Sequence, residues 1–271
     1  MNFSVLISVY REEESDYFKA SLKSIWDNQS LKPSEIVIVK DGPLTEQLDI
    51  IIDNFAQKAP VHIISLKNNS GLGVALAKGL LTCKNETIAR MDSDDISTPD
   101  RFKKQIEYLK NHPDISLLGS NIAEFIKTPS LVCGIRKVPE KHEDIFRFAK
   151  KRNPMNHVSI IFKKSAVLNS GNYLTFIGYE DYYLWVRMFL KGYRAANIQE
   201  NLVYVRIGNN MIKRRQGLKF FKRELMLQKR FYSMNFISAP RYIKNIFLRG
   251  LPRLMPVLFL SYIYKYLRKK N

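Results

Sequence analysis

Four short apolar runs punctuate the first ninety residues, at 3–9, 36–39, 61–66 and 87–91. Runs of this length without strict alternation read as strands covered on both faces. The segments between them have helical spacing. Phe18, Leu22, Ile25 and Trp26 share one helix face, and Leu48, Ile51, Ile52 and Phe55 share another. A third helix is predicted from about Gly71 to Cys83, and a fourth after Thr98-Pro99-Asp100, where proline suits a first helical turn. Such alternation means a parallel sheet with right-handed crossovers, whose ligands gather beyond the carboxyl ends of the strands. After residue 115 the rhythm changes. Short strands, possible antiparallel partners, are predicted at 115–118, 122–126 and 130–134. A helix near 140–150, a strand at 157–162, a helix over 178–190 and a strand at 202–205 follow.

The fourth strand closes on Arg90-Met91-Asp92-Ser93-Asp94-Asp95-Ile96. Neighbouring carboxylates repel, and burying them costs more still. A hard divalent cation that shares its oxygen ligands with a diphosphate would resolve the conflict. A solvated acidic turn leading to a helix capped through Asp100 is the alternative. The other strand ends are polar too. Strand one runs into Tyr10-Arg11-Glu12-Glu13-Glu14, which excludes a glycine-rich dinucleotide fingerprint. Strand two ends in Lys40-Asp41-Gly42. A carboxylate there suits an imide N–H or a ribose hydroxyl, and equally a turn before Gly42-Pro43. Asn69-Ser70-Gly71-Leu72-Gly73 opens a helix and is expected to leave backbone N–H groups for an anion.

Composition narrows the class. The 271 residues form one generous domain, or a domain with an appendage. Cys83 and Cys133 fit no metal spacing, suggest a reducing compartment and read as buried small hydrophobes. The N-terminal residues lack a basic leader and an apolar signal core, so secretion is not expected. The net charge of +19 is uneven: residues 211–271 carry +15, with Glu224 their one acid, and the first 210 carry +4. A nearly balanced globular part therefore bears a cationic appendage suited to an anionic surface.

Taken in order, Ser8-Val9-Tyr10-Arg11-Glu12-Glu13, Lys40-Asp41-Gly42, Asn69-Ser70-Gly71 through Gly79, Met91-Asp92-Ser93-Asp94-Asp95 and Gly178-Tyr179-Glu180-Asp181-Tyr182-Tyr183-Leu184-Trp185 resemble the successive blocks of family 2 glycosyltransferases with the GT-A fold. The likeness spans roughly residues 3–207 and points to enzymes of bacterial capsule, exopolysaccharide and lipopolysaccharide synthesis. It implies an α/β fold with a mostly parallel central sheet, flanking helices and a basic helical tail. Residues 1–210 would be the transferase domain, with 1–120 its nucleotide half and 120–210 its acceptor half.

The resemblance also implies roles. Val9, Tyr10, Glu12, Asp41 and Gly71 would lie along the donor nucleotide, and Asp92 and Ser93 on its ribose side. Asp94 would ligate Mn²⁺ or Mg²⁺ across the diphosphate, which Arg206 would also meet. Asp181 would deprotonate the acceptor, with Glu180 beside it and His157 and Trp185 on the acceptor side. Arg187 could help shape that pocket. Val9 stands where relatives often have proline, Lys78 where they have asparagine, and Gly208-Asn209 where a histidine is common. The donor would be a nucleoside diphosphate sugar, by family weight UDP-linked, and the acceptor a lipid-linked saccharide.

The tail fits that acceptor. Residues 217–236 mix Lys and Arg with Leu218, Phe221, Leu225 and Tyr232 on a predicted helix. Arg241, Lys244, Arg249 and Arg253 then recur about once per turn. The uncharged run 254–264 contains Pro256 and is too short to span a bilayer, which takes about twenty residues. An amphipathic segment on anionic lipid at the inner membrane face is expected, and a packed subunit interface is the alternative. Two other functions are disfavoured. A nucleic-acid binder would spread its charge over a groove with stacking aromatics. A nucleotidyltransferase making an activated sugar would carry a glycine-rich basic loop after strand one, where this chain has acids.

Overall fold

The computed structural model describes residues 1–208 and 216–255. They fall into two compact units: residues 1–149 with 153–206, and residues 150–152 with those from 207 onward.

The first unit is built on one sheet whose strands run, in spatial order, β3 (Val61–Ser65), β2 (Glu35–Lys40), β1 (Phe3–Val9), β4 (Thr87–Met91), β8 (Ile161–Lys163), β6 (Ile115–Phe125), β9 (Arg194–Arg206) and β5 (Ile96–Ser97), with β7 (Val132–Arg136) attached to β6. Strands β1, β2, β3 and β4 are mutually parallel. Helices α1 (Ser15–Ile25), α2 (Glu46–Ala56) and α3 (Leu72–Thr82) connect them. Val5, Ile7, Ile36, Ile38, Ala89 and Met91 join one core with Phe18, Leu22, Leu48 and Ile52. On the opposite face α3 lies so close that a Cβ on Gly79 would sit 2.5 Å from the Leu6 side chain and 2.6 Å from Val39. Both faces of β1, β2 and β4 are covered, so these strands read as unbroken apolar runs, whereas β3, expected to be covered as well, is an edge strand that leaves Ile63 39% exposed.

Beyond β4 come β5 (Ile96–Ser97), α4 (Arg101–Asn111), β6 (Ile115–Phe125), β7 (Val132–Arg136) and α5 (His142–Ala149). Then follow β8 (Ile161–Lys163), α6 (Lys164–Asn169), α7 (Glu180–Leu190) and β9 (Arg194–Arg206). This half is mixed, because β6 runs parallel to β9 but antiparallel to β7 and β8.

Four expectations are corrected here. The predicted strands 115–118 and 122–126 are one, since the polar step between them pairs in place: Ser120 N–H donates to Ser159 Oγ (3.0 Å) and Val138 N–H to Asn121 Oδ1 (2.9 Å). The predicted strand 157–162 opens instead as a 3₁₀ turn, His157–Ser159, closed by Ile160 N–H on His157 C=O (3.3 Å). Strand β9 begins eight residues earlier than predicted, and α6 and β5 were not predicted at all. Cys83 is buried as expected, but Cys133 is exposed, because neither face of the short strand β7 is covered.

The second unit contains α8 (Leu218–Ser233), α9 (Ala239–Asn245, with Pro240 in its first turn), a π turn Ile246–Gly250 and a 3₁₀ turn Leu251–Leu254. Leu227, Phe231, Phe236 and Ile237 are buried together with a polar network. In it Arg249 Nε donates to Glu224 Oε1 (2.9 Å) and Gln228 Nε2 to the same oxygen (2.9 Å). Asn245 Nδ2 donates to Gln228 Oε1 and to Lys150 C=O, both at 2.9 Å. Arg249 and Arg253 thus turn onto Glu224 rather than forming one basic stripe with Arg241 and Lys244, because Glu224 is fully buried and requires partners. No helix among the described residues is long and apolar enough to cross a membrane. Asn209, the basic cluster 213–215 and nearly all of the run 254–264 lie outside the described residues.

Candidate active site

The acidic segment is fixed from both sides of β4. Side chains two apart on a strand share a face, so Arg90 and Asp92 point the same way. Arg90 is 1% exposed and its guanidinium pairs with Asp92 Oδ1 through Nη2, while Nε and Nη1 are buried without a protein partner. On the other face the fully buried Arg101 of α4 donates from Nη2 to Arg90 C=O (2.7 Å), from Nη1 to Met91 Sδ (3.1 Å) and from Nε to Gln105 Oε1 (3.1 Å). Burial, with Arg90 nearby, lowers the Arg101 pKa to about 9.

One carboxylate oxygen from each of Asp92, Asp94 and Asp95 lies within 4.8 Å of the others. Burial raises Asp94 from 3.8 to about 7, and Asp92 and Glu13 push it further in that direction. Asp95 is raised well above the usual range by burial, then by Asp92 and Asp94. Three hard oxygen donors, crowded and reluctant to ionise, fit a divalent cation such as Mn²⁺ or Mg²⁺. Glu13 joins them by accepting a hydrogen bond from Ser93 Oγ at Oε2, and burial raises its pKa as well.

Arg206 closes this side of the site. Its backbone N–H donates to Asp95 Oδ1 (2.8 Å), and its Nε to Asp94 C=O (3.2 Å). Its guanidinium lies 3.6 Å from the Tyr17 ring centroid and 4.6 Å from that of Phe125. At the end of β1, Val9 is buried and Asp41 N–H donates to its C=O (2.8 Å); Tyr10 is 37% exposed and Glu12 is exposed.

The helix start at Ser70 and Gly71 differs from expectation, because Asp41 occupies its amides. Asp41 Oδ1 accepts from Ser70 N–H (2.7 Å) and its Oδ2 from Gly71 N–H (2.9 Å), so the anion held by those amides is the chain's own carboxylate. Gly42 permits this, since a Cβ there would be 2.6 Å from Asn69 N.

The Glu-Asp block opens α7 and approaches α3, with Glu180 Cγ 2.9 Å from where a Gly73 Cβ would stand. Glu180 Oε2 accepts from Gly178 N–H (2.8 Å), which engages it in its own helix start; burial, and Asp181 beside it, raise its pKa. Asp181 Oδ2 accepts from Asn153 Nδ2 (2.6 Å), which leaves Oδ1 for a further partner.

Tyr173, His157 and Trp185 form a cluster of their own. His157 Nε2 meets Tyr173 Oη at 3.1 Å, and both rings stand edge-on to Trp185, with centroids 5.9 and 6.5 Å away. Burial keeps the Tyr173 phenol protonated; Arg90 opposes that shift, while Asp181 and Asp92 reinforce it. Burial, then Arg90, holds His157 neutral. Tyr173 is therefore within electrostatic reach of both Asp92 and Asp181.

Trp185, fully buried one turn after Asp181, has no surface to offer an acceptor and backs the His157–Tyr173 pair instead. Arg187 binds Ser170 and Asn172 carbonyls and so orders the preceding loop rather than a pocket. In the sequence analysis Arg90, Glu13 and Asp95 had no individual role beyond the motifs that contain them, and Asn153 and Tyr173 were not mentioned.

The family described as Glycosyl transferase family 2 matches residues 4–171. The chain is 36% identical over 267 residues to the amylovoran biosynthesis glycosyltransferase AmsE of Erwinia amylovora, covering 98% of this chain and 99% of that one. It is 36% identical over 263 residues to the UDP-Gal:alpha-D-GlcNAc-diphosphoundecaprenol beta-1,3-galactosyltransferase of Escherichia coli, covering 97% and 95%. The S. aureus TarS 1–349 structure in complex with UDP-GlcNAc superposes with a TM-score of 0.70 at 17% identity, over 92% of this chain and 74% of that one. A curled α/β sheet of the GT-A type, with carboxylates at its strand ends, thus carries the sequence signature of its relatives: the chain belongs to glycosyltransferase family 2 and is a glycosyltransferase.

Proposed function

We propose that this enzyme transfers a sugar, with inversion, from a UDP-sugar to a lipid-linked saccharide at the cytoplasmic face of a bacterial membrane. The observation that carries the reading is the Asp92–Asp94–Asp95 cluster together with Tyr173, whose phenol is within electrostatic reach of both Asp92 and Asp181. Asp94, with Asp92 and Asp95, would hold Mn²⁺ or Mg²⁺. Such an ion supplies charge neutralisation for a departing nucleoside diphosphate. Val9, Tyr10 and Glu12 would line the nucleotide. Asp41 and Gly71 would hold the loop beside it, and Ser93 would fix Glu13 next to the ribose side.

Single-displacement inversion needs a base facing away from the leaving group. Asp181 suits this because Asn153 orients one of its oxygens and leaves the other to accept the acceptor hydroxyl's proton. Glu180, tied to Gly178 N–H, would support the helix start. His157, neutral, would shape the acceptor wall through Tyr173. Arg206, now seated on the acidic segment's backbone, would meet the diphosphate.

The E. coli relative is named for a lipid-diphosphate acceptor, which favours the same acceptor class here. Residues 1–120 would serve the donor and 120–210 the acceptor, and residues 211–271 would rest on anionic lipid. Within the described part of that tail, Ile243, Phe247, Leu248 and Leu254 are exposed, with exposed Lys244 among them. A nucleic-acid partner is not part of this reading.

A thermal-shift panel of nucleoside diphosphates with and without Mn²⁺ tests the donor side, since a bound nucleotide must stabilise the native state. UDP with Mn²⁺ should raise the melting temperature most. Asp181→Asn should keep that shift and abolish transfer. Turnover near wild type in this variant would overturn the base assignment.

A further inference from the structure

The loop joining β6 to β7, together with β7 itself, contradicts its surroundings. Ile126 is 52% exposed, Leu131 70%, Val132 45% and Ile135 54%, although each is a large aliphatic residue. Strand β7 pairs only with β6, and its outer edge is unpaired among the described residues. Exposed aliphatics on an open edge invite aggregation and are usually avoided. The segment 126–137 contains Lys127, Arg136 and Lys137 and no acid, with both lysines exposed. The same segment leaves the active site directly: Phe125 lies under the Arg206 guanidinium, and Lys127 C=O accepts from Arg206 Nη1 (3.4 Å).

We propose that this hairpin is a lipid contact, its aliphatic side chains entering an anionic bilayer surface while Lys127 and Lys137 meet phosphate headgroups. The inference rests on the reading that the acceptor is lipid-linked, and it adds that the transferase unit itself, not only the tail, touches the membrane beside Arg206. Two features favour lipid over a second copy of the chain. Four half-exposed aliphatic side chains present a few hundred Å² at most, short of the ~800 Å² per partner that stable protein interfaces bury. The flanking charge is of one sign, which suits an anionic surface and would repel the same patch on a symmetry mate.

Cys133 supplies the probe, because it is exposed on β7 whereas Cys83, the other cysteine, is buried. The full chain, labelled at Cys133 with an environment-sensitive fluorophore, is mixed with vesicles of phosphatidylethanolamine and phosphatidylglycerol, or of phosphatidylcholine alone. A blue shift on the anionic vesicles only, lost in Leu131→Ser/Val132→Ser, supports the proposal. The same double variant should lose transfer to a long-chain polyprenyl-diphosphate saccharide several-fold and keep its rate on a short-chain, water-soluble analogue. A silent label on protein that still sediments with vesicles would overturn the proposal and leave the tail as the lipid contact. A blue shift that grows with protein concentration without lipid, alongside a doubled mass, would overturn it in favour of a dimer. A lipid-dependent shift in a protein that uses no lipid-linked acceptor would sustain the contact and sink the acceptor reading instead.

Discussion

Replacing Asp94 by asparagine separates what the acidic cluster does for the fold from what it does for the reaction. Asp94 is held near 7 instead of 3.8 by burial, then by Asp92 and Glu13. A group whose folded pKa is raised binds its proton more tightly in the native state. Its favourable contribution is complete below the unfolded value and disappears as the pH climbs through the folded one. Between about pH 4 and pH 7 the metal-free enzyme should therefore lose stability on account of this residue, and the loss should level off above. A span of about three pH units at ~1.4 kcal/mol each gives on the order of 4 kcal/mol as the ceiling. Asparagine keeps the shape without the charge. In EDTA at pH 8, Asp94→Asn should unfold at a higher temperature than wild type by several degrees, at about 2–4 °C per kcal/mol, with the gap narrowing at pH 5. Addition of Mn²⁺ and UDP should then stabilise wild type and leave the variant unmoved, and transfer should be lost. The measurement is a pair of thermal unfolding series across pH, with and without metal. A variant no more stable than wild type at pH 8 in EDTA would refute the electrostatic crowding.

Three further outcomes follow from individual contacts. Arg90→Gln removes the partner of Asp92, and should lower kcat and weaken Mn²⁺-dependent UDP binding more than Arg90→Lys does. Equal losses in both variants, with unchanged metal titrations, would assign Arg90 to packing alone. Glu224→Ala leaves Arg249 and Arg253 without their buried acid, and should cost about 3–5 kcal/mol in urea unfolding, as removal of one member of a buried pair does. Asp41→Ala releases the amides of Ser70 and Gly71, and should raise the KM for the UDP-sugar while restoring some anion affinity at that helix start; an unchanged KM would separate this loop from the donor.

Legibility from sequence followed the range of the interactions. Strands β1, β2 and β4 were readable because two covered faces leave an uninterrupted apolar run. The carboxylate cluster was readable because Asp92, Asp94 and Asp95 are chain neighbours. Arg90 was within reach of the same logic, since positions 90 and 92 on a strand share a face, but its pairing depends on β4 ending where it does. Glu13 could not be chosen over Glu12 from the sequence, because the turn after β1 decides which acid faces Ser93. Tyr173 and Asn153 come from segments without periodicity and acquire meaning only when they meet His157 and Asp181. The reversal at Gly71 has the same origin. A helix start predicts free amides, and only a tertiary approach could supply Asp41 to fill them.

The distribution of positive charge around the acidic segment is the strongest reason to assign a cation to it. Three arginines converge there from different elements. Arg101 donates to the carbonyl of residue 90, Arg206 to the carbonyl of residue 94, and only Arg90 takes a carboxylate, that of Asp92. The chain thus uses its own cations to secure the backbone of the turn and the carboxylate of Asp92. Among the described residues no arginine or lysine forms a salt bridge with the Asp94 carboxylate, although burial there makes its charge costly. A divalent cation arriving with the nucleotide, as proposed above, would supply the compensating charge that the chain itself does not place there.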